Sequence, residues 1–167
     1  MSQVNLMIQP QDVISLTPFD GNIDVDNLKP MIFIAQTTHL KSFLGLDLYT
    51  KIYTDYSADY NDGVFTPSTL TGVYLTIYED YIKDFLSYYT SVLFVDFGGY
   101  KVSENGLHKI TGENMQTLDS SETERLSLRY NQLIAGVESN FKEFVKDLSL
   151  PELANKTITI ETTFPWL

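Results

Sequence analysis

Residues 69–97 read TLTGVYLTIYEDYIKDFLSYYTSVLFVDF, and no other stretch limits the possible folds so strongly. One apolar row runs through Leu70, Tyr74, Ile77, Tyr81, Phe85, Tyr88, Val92 and Val95; a second runs through Leu75, Tyr78, Ile82, Leu86, Tyr89 and Leu93. Both keep the three-and-four spacing of an α-helix. Only a thin stripe of Thr76, Asp80, Lys83, Ser87 and Ser91 is polar. A helix apolar on two sides must be covered on two sides. Either it is central to its own domain, or one row faces a neighbouring subunit.

The rest of the chain supplies further helices. Residues 1–25 contain Pro10, Pro18 and Gly21 and read as an extended N-terminal arm, with a helical turn near Gln11–Leu16. Asp26 has the chemistry of an N-cap, and Pro30 suits a first turn, where a missing N–H costs least. That helix is expected to reach about Ser42, with Leu28, Met31, Ile32, Ala35 and His39 inward. Gly45 interrupts it. Leu46, Tyr49, Ile52, Tyr53 and Tyr56 predict a second helix, and YSADYNDGVFTPST a loop. After the long third helix, Gly98-Gly99 is a stop. Asn105-Gly106, with Val102 and Ile110 on either side, predicts a β-hairpin over 99–111. Ser121 and Glu124 make a capping box for a fourth helix to about Leu148. Its seam is Leu126, Tyr130, Leu133, Val137, Phe141, Phe144 and Leu148, and Pro151 closes it. The expected fold is therefore mainly α, four-helix-bundle-like over 26–150, with a small hairpin. Residues 151–167 form a strand and tail, in which Ile158 and Ile160 alternate with polar residues.

Composition narrows the partners. At 167 residues and 43% hydrophobic, the chain suits one globular domain. Its 22 acidic against 11 basic side chains give a net charge of -11, which repels phosphate backbones and anionic membranes. Without cysteine there is no disulfide frame, thiol nucleophile or Cys-based zinc site. The first residues show no signal-peptide pattern, and apolar runs such as Val92–Val95 are too short to span a bilayer. The 11 Tyr and 10 Phe exceed what one small core needs, and interfaces favour large rings. Tyr78, Tyr81, Tyr88 and Tyr89 are accordingly candidates for a subunit interface.

Catalytic groups are not readable. His39 and His108 stand in no metal-binding spacing, and both fit surface or half-buried positions. Asp55, Asp59 and Asp62 with Gly63 invite a calcium loop, yet Ala58 and Tyr60 fall where oxygen ligands are needed, so a solvated acidic loop is expected. Glu79 fits an i,i+4 surface pair with Lys83 better than a catalytic role. No glycine-rich phosphate loop and no G-x-S-x-G is present. The expectation is a non-enzyme without cofactor or metal.

Several blocks in order carry a family likeness: IDVDNLKPMIFIAQ (23–36), Phe43-Leu44-Gly45-Leu46-Asp47-Leu48-Tyr49, TLTGVYLTIYEDYIKDFLSYYTSVLF (69–94), and Tyr100-Lys101-Val102 with Asn105-Gly106-Leu107. Over about 23–148 the chain resembles head–tail connector (adaptor) proteins of tailed bacteriophages, including crAss-like phages. The resemblance implies a helical subunit of a ring, typically of twelve copies, seated on the portal and joined to tail or neighbouring ring proteins. It implies a virion location at the head–tail junction, host cytoplasm during assembly, and DNA that only passes through. No catalytic residues belong to that class. The segment Tyr100–Ile110 is then a projecting element. The terminal strand either completes that hairpin or adds to a neighbour's edge, with Ile158, Ile160, Phe164 and Trp166 as docking anchors. The alternative is a helical binding module, of tail-completion or chaperone-like kind, that captures one protein partner.

Overall fold

The computed structural model describes residues 5–18, 25–61, 64–66, 69–97, 100–103, 106–109 and 120–154. It is mainly helical. The first helix, α1, is Pro10–Leu16. Val25–Ile34, Ala35–Leu40 and Lys41–Leu44 run on as one helix, α2, whose middle portion is a π-turn. Gly45 breaks the chain with φ +80, a value only glycine adopts cheaply, and its N–H closes α2 on the Lys41 carbonyl. Helix α3 is Leu46–Asp59. Tyr60–Asn61 (β1) pairs antiparallel with Val64–Phe65 (β2). Gly72–Ile77, Tyr78–Ile82 and Lys83–Phe97 form the long α4, again with a π-turn inside it. Tyr100–Ser103 (β3) pairs antiparallel with Gly106–Lys109 (β4). Helix α5 is Ser120–Val145, and a 3-10 turn at Pro151–Leu153 follows.

Helix α4 is the hub. Its longest seam is with α5, which runs antiparallel to it: Tyr81 packs on Phe141 and Phe144, and Ser127 donates to the Asp96 carboxylate. Helix α2 also runs antiparallel to α4, through a His39–Tyr89 stack at 3.9 Å and a Phe43–Phe85 stack at 4.4 Å. Phe43 reaches Phe141 as well, so the three helices share one aromatic layer. Helix α1 packs against α2 and α4. Both apolar rows of α4 are thus met within the chain, and its polar stripe is narrower than the sequence suggests. Ser87 and Ser91 are wholly buried. Ser91 satisfies its hydroxyl on the Ser87 carbonyl at 2.8 Å.

Several boundaries differ from the sequence reading. The N-terminal segment is not an extended arm over its described part: Met7, Ile8 and Val13 are fully buried and belong to the core. Their apolar side chains offset the cost of ordering the chain end. Asp26 lies inside the first turn of α2, because the helix starts at Val25, and Pro30 falls in the second turn. Helix α3 runs three residues past Tyr56, because Asp59 has a buried role described below. Leu46, placed inward by spacing, is 59% exposed, while Leu48 is buried. On α5 the buried seam takes Ile134 in place of Leu133, since Ile134 lies on the same i+4 row as Tyr130. Ser103 pairs with Gly106, so Gly106 opens the return strand and is not the second turn residue. The imperfect alternation of this stretch specifies its register only weakly.

Candidate functional site

Residues 5–9 belong to no helix and no strand, yet Met7 and Ile8 are buried. Their main-chain polar groups therefore need partners other than a ladder. Four side chains supply those of Asn5 and Met7 and the Leu6 carbonyl. The Asn5 N–H donates to the Tyr53 hydroxyl oxygen at 3.2 Å, and the Gln36 amide nitrogen donates to the Asn5 carbonyl at 3.1 Å. The Tyr56 hydroxyl donates to the Leu6 carbonyl at 2.9 Å. The Met7 N–H donates to Gln36 Oε1 at 2.8 Å, and the Tyr78 hydroxyl donates to the Met7 carbonyl at 2.7 Å. The segment then enters α1 through a reciprocal pair: the Gln9 N–H donates to the Asp12 carboxylate at 2.7 Å, and the Asp12 N–H to the Gln9 carbonyl at 2.9 Å.

The two residues that hold Met7 sit on the two π-turns, Gln36 in Ala35–Leu40 and Tyr78 in Tyr78–Ile82. The spacing of buried residues explains why. In α2 Leu28, Ile32, Gln36, Leu40 and Leu44 are all fully buried, at a constant interval of four. Four residues of regular helix overshoot a turn by about 40°, so five such positions would spiral off one face. A π-turn takes more residues per turn and brings the row back. In α4, Tyr78, Ile82, Leu86 and Thr90 repeat the interval. Turns of this kind are often found at functional sites. Burial drives the phenols of Tyr56 and Tyr78 strongly upward from their ordinary value, so both stay protonated and remain donors.

A second feature lies at the end of the body where α4 finishes and α5 begins. Phe33 and Ile34 (42% and 40% exposed), Phe97 (56%), Leu128 (58%) and Leu133 (48%) are its large exposed apolar side chains. The helix pairings put them near one level: Phe33 and Ile34 lie about two and a half turns before Phe43, which stacks on Phe85, and Leu128 follows the Ser127 that meets Asp96.

The residues singled out by sequence are scattered over these features. Tyr78 is 3% exposed and belongs to the clamp inside the chain, so it is not free for a neighbour; no surface spacing distinguishes it, because both rows of α4 are covered. Tyr81, Tyr88 and Tyr89 are half-buried, with Tyr81 against α5 and Tyr89 against His39. Tyr100, Lys101, Val102, Gly106 and Leu107 lie on the β3–β4 ladder. Asn105, Ile158, Ile160, Phe164 and Trp166 lie outside the described residues.

Asp62 and Gly63 lie outside the described residues, and among the described ones the acidic side chains do not form one site. Asp55 pairs with Lys51 at 2.7 Å and Glu79 with Lys83 at 2.6 Å, the latter as its spacing suggests. Asp59 departs from the expected solvated loop: it is 9% exposed, and its carboxylate accepts the Thr69 N–H at 2.6 Å and the Leu70 N–H at 3.3 Å. It ties the end of α3 to the approach of α4. Among the described residues no three His, Asp or Glu side chains stand close enough to share a metal ion, and no helix is long and apolar enough to cross a membrane. Burial lowers the His39 imidazole, which keeps it neutral on the Tyr89 ring at neutral pH.

Residues 40–150, more than half of the chain, match the model of a family of unknown function, DUF6712. The chain belongs to that family. The matched part of this DUF6712 chain takes in α3, α4 and α5, hence Tyr53, Tyr56 and Tyr78 of the clamp. Gln36 and the clamped segment lie before it. Neither the curated proteins nor the solved structures include a significant match.

Proposed function

We propose that this chain is a structural subunit that works by assembly and catalyses no reaction: a head–tail connector of a tailed bacteriophage. In this reading copies close into a ring on the portal, join it to tail components and leave a channel for DNA. The observation that favours self-association is the exposure of the large apolar side chains Phe33, Ile34, Phe97, Leu128 and Leu133. The phage assignment rests on the order of sequence blocks, and the charge of -11 suits walls that let DNA slide without counterion-releasing contacts.

The four-helix-like body would then fill the ring wall, the β3–β4 element would project from it, and residues 156–167 would dock on a neighbouring protein. The test is assembly by the chain with and without residues 156–167, alone and with a portal, followed by mass measurement and negative-stain imaging. Loss of assembly with the melting temperature kept is the expected result; equal assembly by the truncated chain removes the docking role of the tail.

A further inference from the structure

We infer that the exposed back of α5 is a pairing face, and that its occupant is α5 of a second copy of this chain, laid antiparallel across a two-fold axis. Three observations on that one face point there. First, its two halves differ in size. At 3.6 residues per turn, the side opposite the buried Tyr130, Ile134 and Phe141 carries Arg125, Leu128, Arg129 and Leu133 in its first half. Its second half carries Gly136, Ser139 and Asn140, and all seven are exposed. Second, the halves differ in charge. Arg125 and Arg129 are the chain's two arginines, and among the described residues neither has an acidic partner. The second half ends in Glu143, held only by a well-exposed Lys146 at 3.5 Å, a pair worth little. Third, Gly136 has no use inside the chain. It stands in mid-helix, where glycine is poorly suited, and a Cβ placed on it would meet nothing within 4 Å. A partner that must come close to the helix gives it one.

A second copy of the same helix, turned end for end, matches all three features. Arg125 and Glu143 are eighteen residues apart, which is five whole turns and about 27 Å, so they lie on one side of α5. With the two-fold axis midway between them, each Arg125 stands opposite the other copy's Glu143. Leu128 and Arg129 then fall at the level of Ser139 and Asn140, and Gln132 at the level of Gly136. Large residues meet small ones, and the contact is self-complementary, as a two-fold interface requires. The net charge of -11 does not forbid it, because salt screens charges beyond about 8 Å while opposed pairs keep their attraction. The inference concerns the free chain and does not rest on the ring reading. On a portal all copies point the same way, whereas a two-fold axis inverts one of them, so pair and ring are alternative uses of Leu128 and Leu133.

The experiment is sedimentation of the full chain over a concentration series without a portal. A two-copy species is expected. Arg125→Glu alone, or Glu143→Arg alone, sets like charges opposite each other at both ends and should weaken pairing tenfold or more. An equal mixture of the two variants restores both opposite-charge pairs and should form a mixed two-copy species, identified by native mass measurement. Gly136→Leu should raise the melting temperature of the lone chain, measured at a concentration too low for pairing, yet weaken pairing tenfold or more. A free chain that stays single at every concentration overturns the inference and leaves a ring formed on the portal standing. Variants that pair no better mixed than alone, or Gly136→Leu that pairs like the parent, overturn it as well.

Discussion

Gln36→Leu is the sharpest test of the clamp. The replacement keeps the side chain's volume, so little cavity term is added. It removes two hydrogen bonds, from the Met7 N–H at 2.8 Å and to the Asn5 carbonyl at 3.1 Å. Met7 is fully buried, so its N–H bears the whole penalty of an unmade bond, about 1–3 kcal/mol. Asn5 is only half-buried and its carbonyl is rehydrated, which costs about 0.5–1 kcal/mol. The sum is about 1.5–4 kcal/mol, or roughly a 10- to 900-fold rise in the open population of the segment. Hydrogen exchange at the Ile14, Ser15 and Leu16 amides measures it. Their bonds lie within α1, so the substitution does not touch them, and faster exchange reports release of the segment as a unit. Amides of α5 should change by much less. Thr38→Ala, exposed on the same π-turn, should leave all of them unchanged. Unaltered α1 exchange in Gln36→Leu would refute the idea that these bonds hold the segment.

Other perturbations separate the remaining claims. Tyr56 and Tyr78 keep their protons in the fold above the ordinary value of 10.0. Their contribution is complete below that pH. Above it the unfolded chain binds fewer protons than the folded one, and stability falls by up to about 1.4 kcal/mol per pH unit for each phenol. Denaturant unfolding from pH 9 to 11 should show that slope, and Tyr78→Phe should lessen it while costing about 1–2 kcal/mol at pH 7. Asp59→Ala strands the Thr69 and Leu70 amides and should cost about 1–3 kcal/mol in a urea titration; an unchanged midpoint contradicts the tie between α3 and α4. The pair Leu128→Glu and Leu133→Glu, at exposed positions, should move the melting temperature by less than about 2 °C yet abolish association in a sedimentation experiment. Retained association would exclude that end of the body from the contact.

Much of the helical skeleton is legible because it depends on local rules. The break at Gly45 follows from one backbone angle, and the paired rows of α4 already require cover on two sides. The clamp was less accessible. Gln36 counts as polar in any periodicity reading, so the row of Leu28, Ile32, Leu40 and Leu44 seems to have a gap in its middle. The constant interval of four across that gap is the signal for both the π-turn and a buried polar group. Similarly, Asp59 reads as part of a solvated acidic loop until its two amide partners, ten and eleven residues later, are brought beside it. The N-terminal segment carries Met7, Ile8 and Val13 without a period long enough to mark it as core. Its burial is a tertiary fact, decided by hydroxyls and an amide that converge from three different helices.

The central claim is that this chain acts by closing into a ring of its own copies. Native mass measurement of the purified chain, across a concentration series and again with a portal ring added, tests it most directly. The account predicts one discrete multimer of many copies, formed alone or on the portal, that imaging shows as a closed ring. A single-copy species that persists at every concentration and ignores the portal would contradict it.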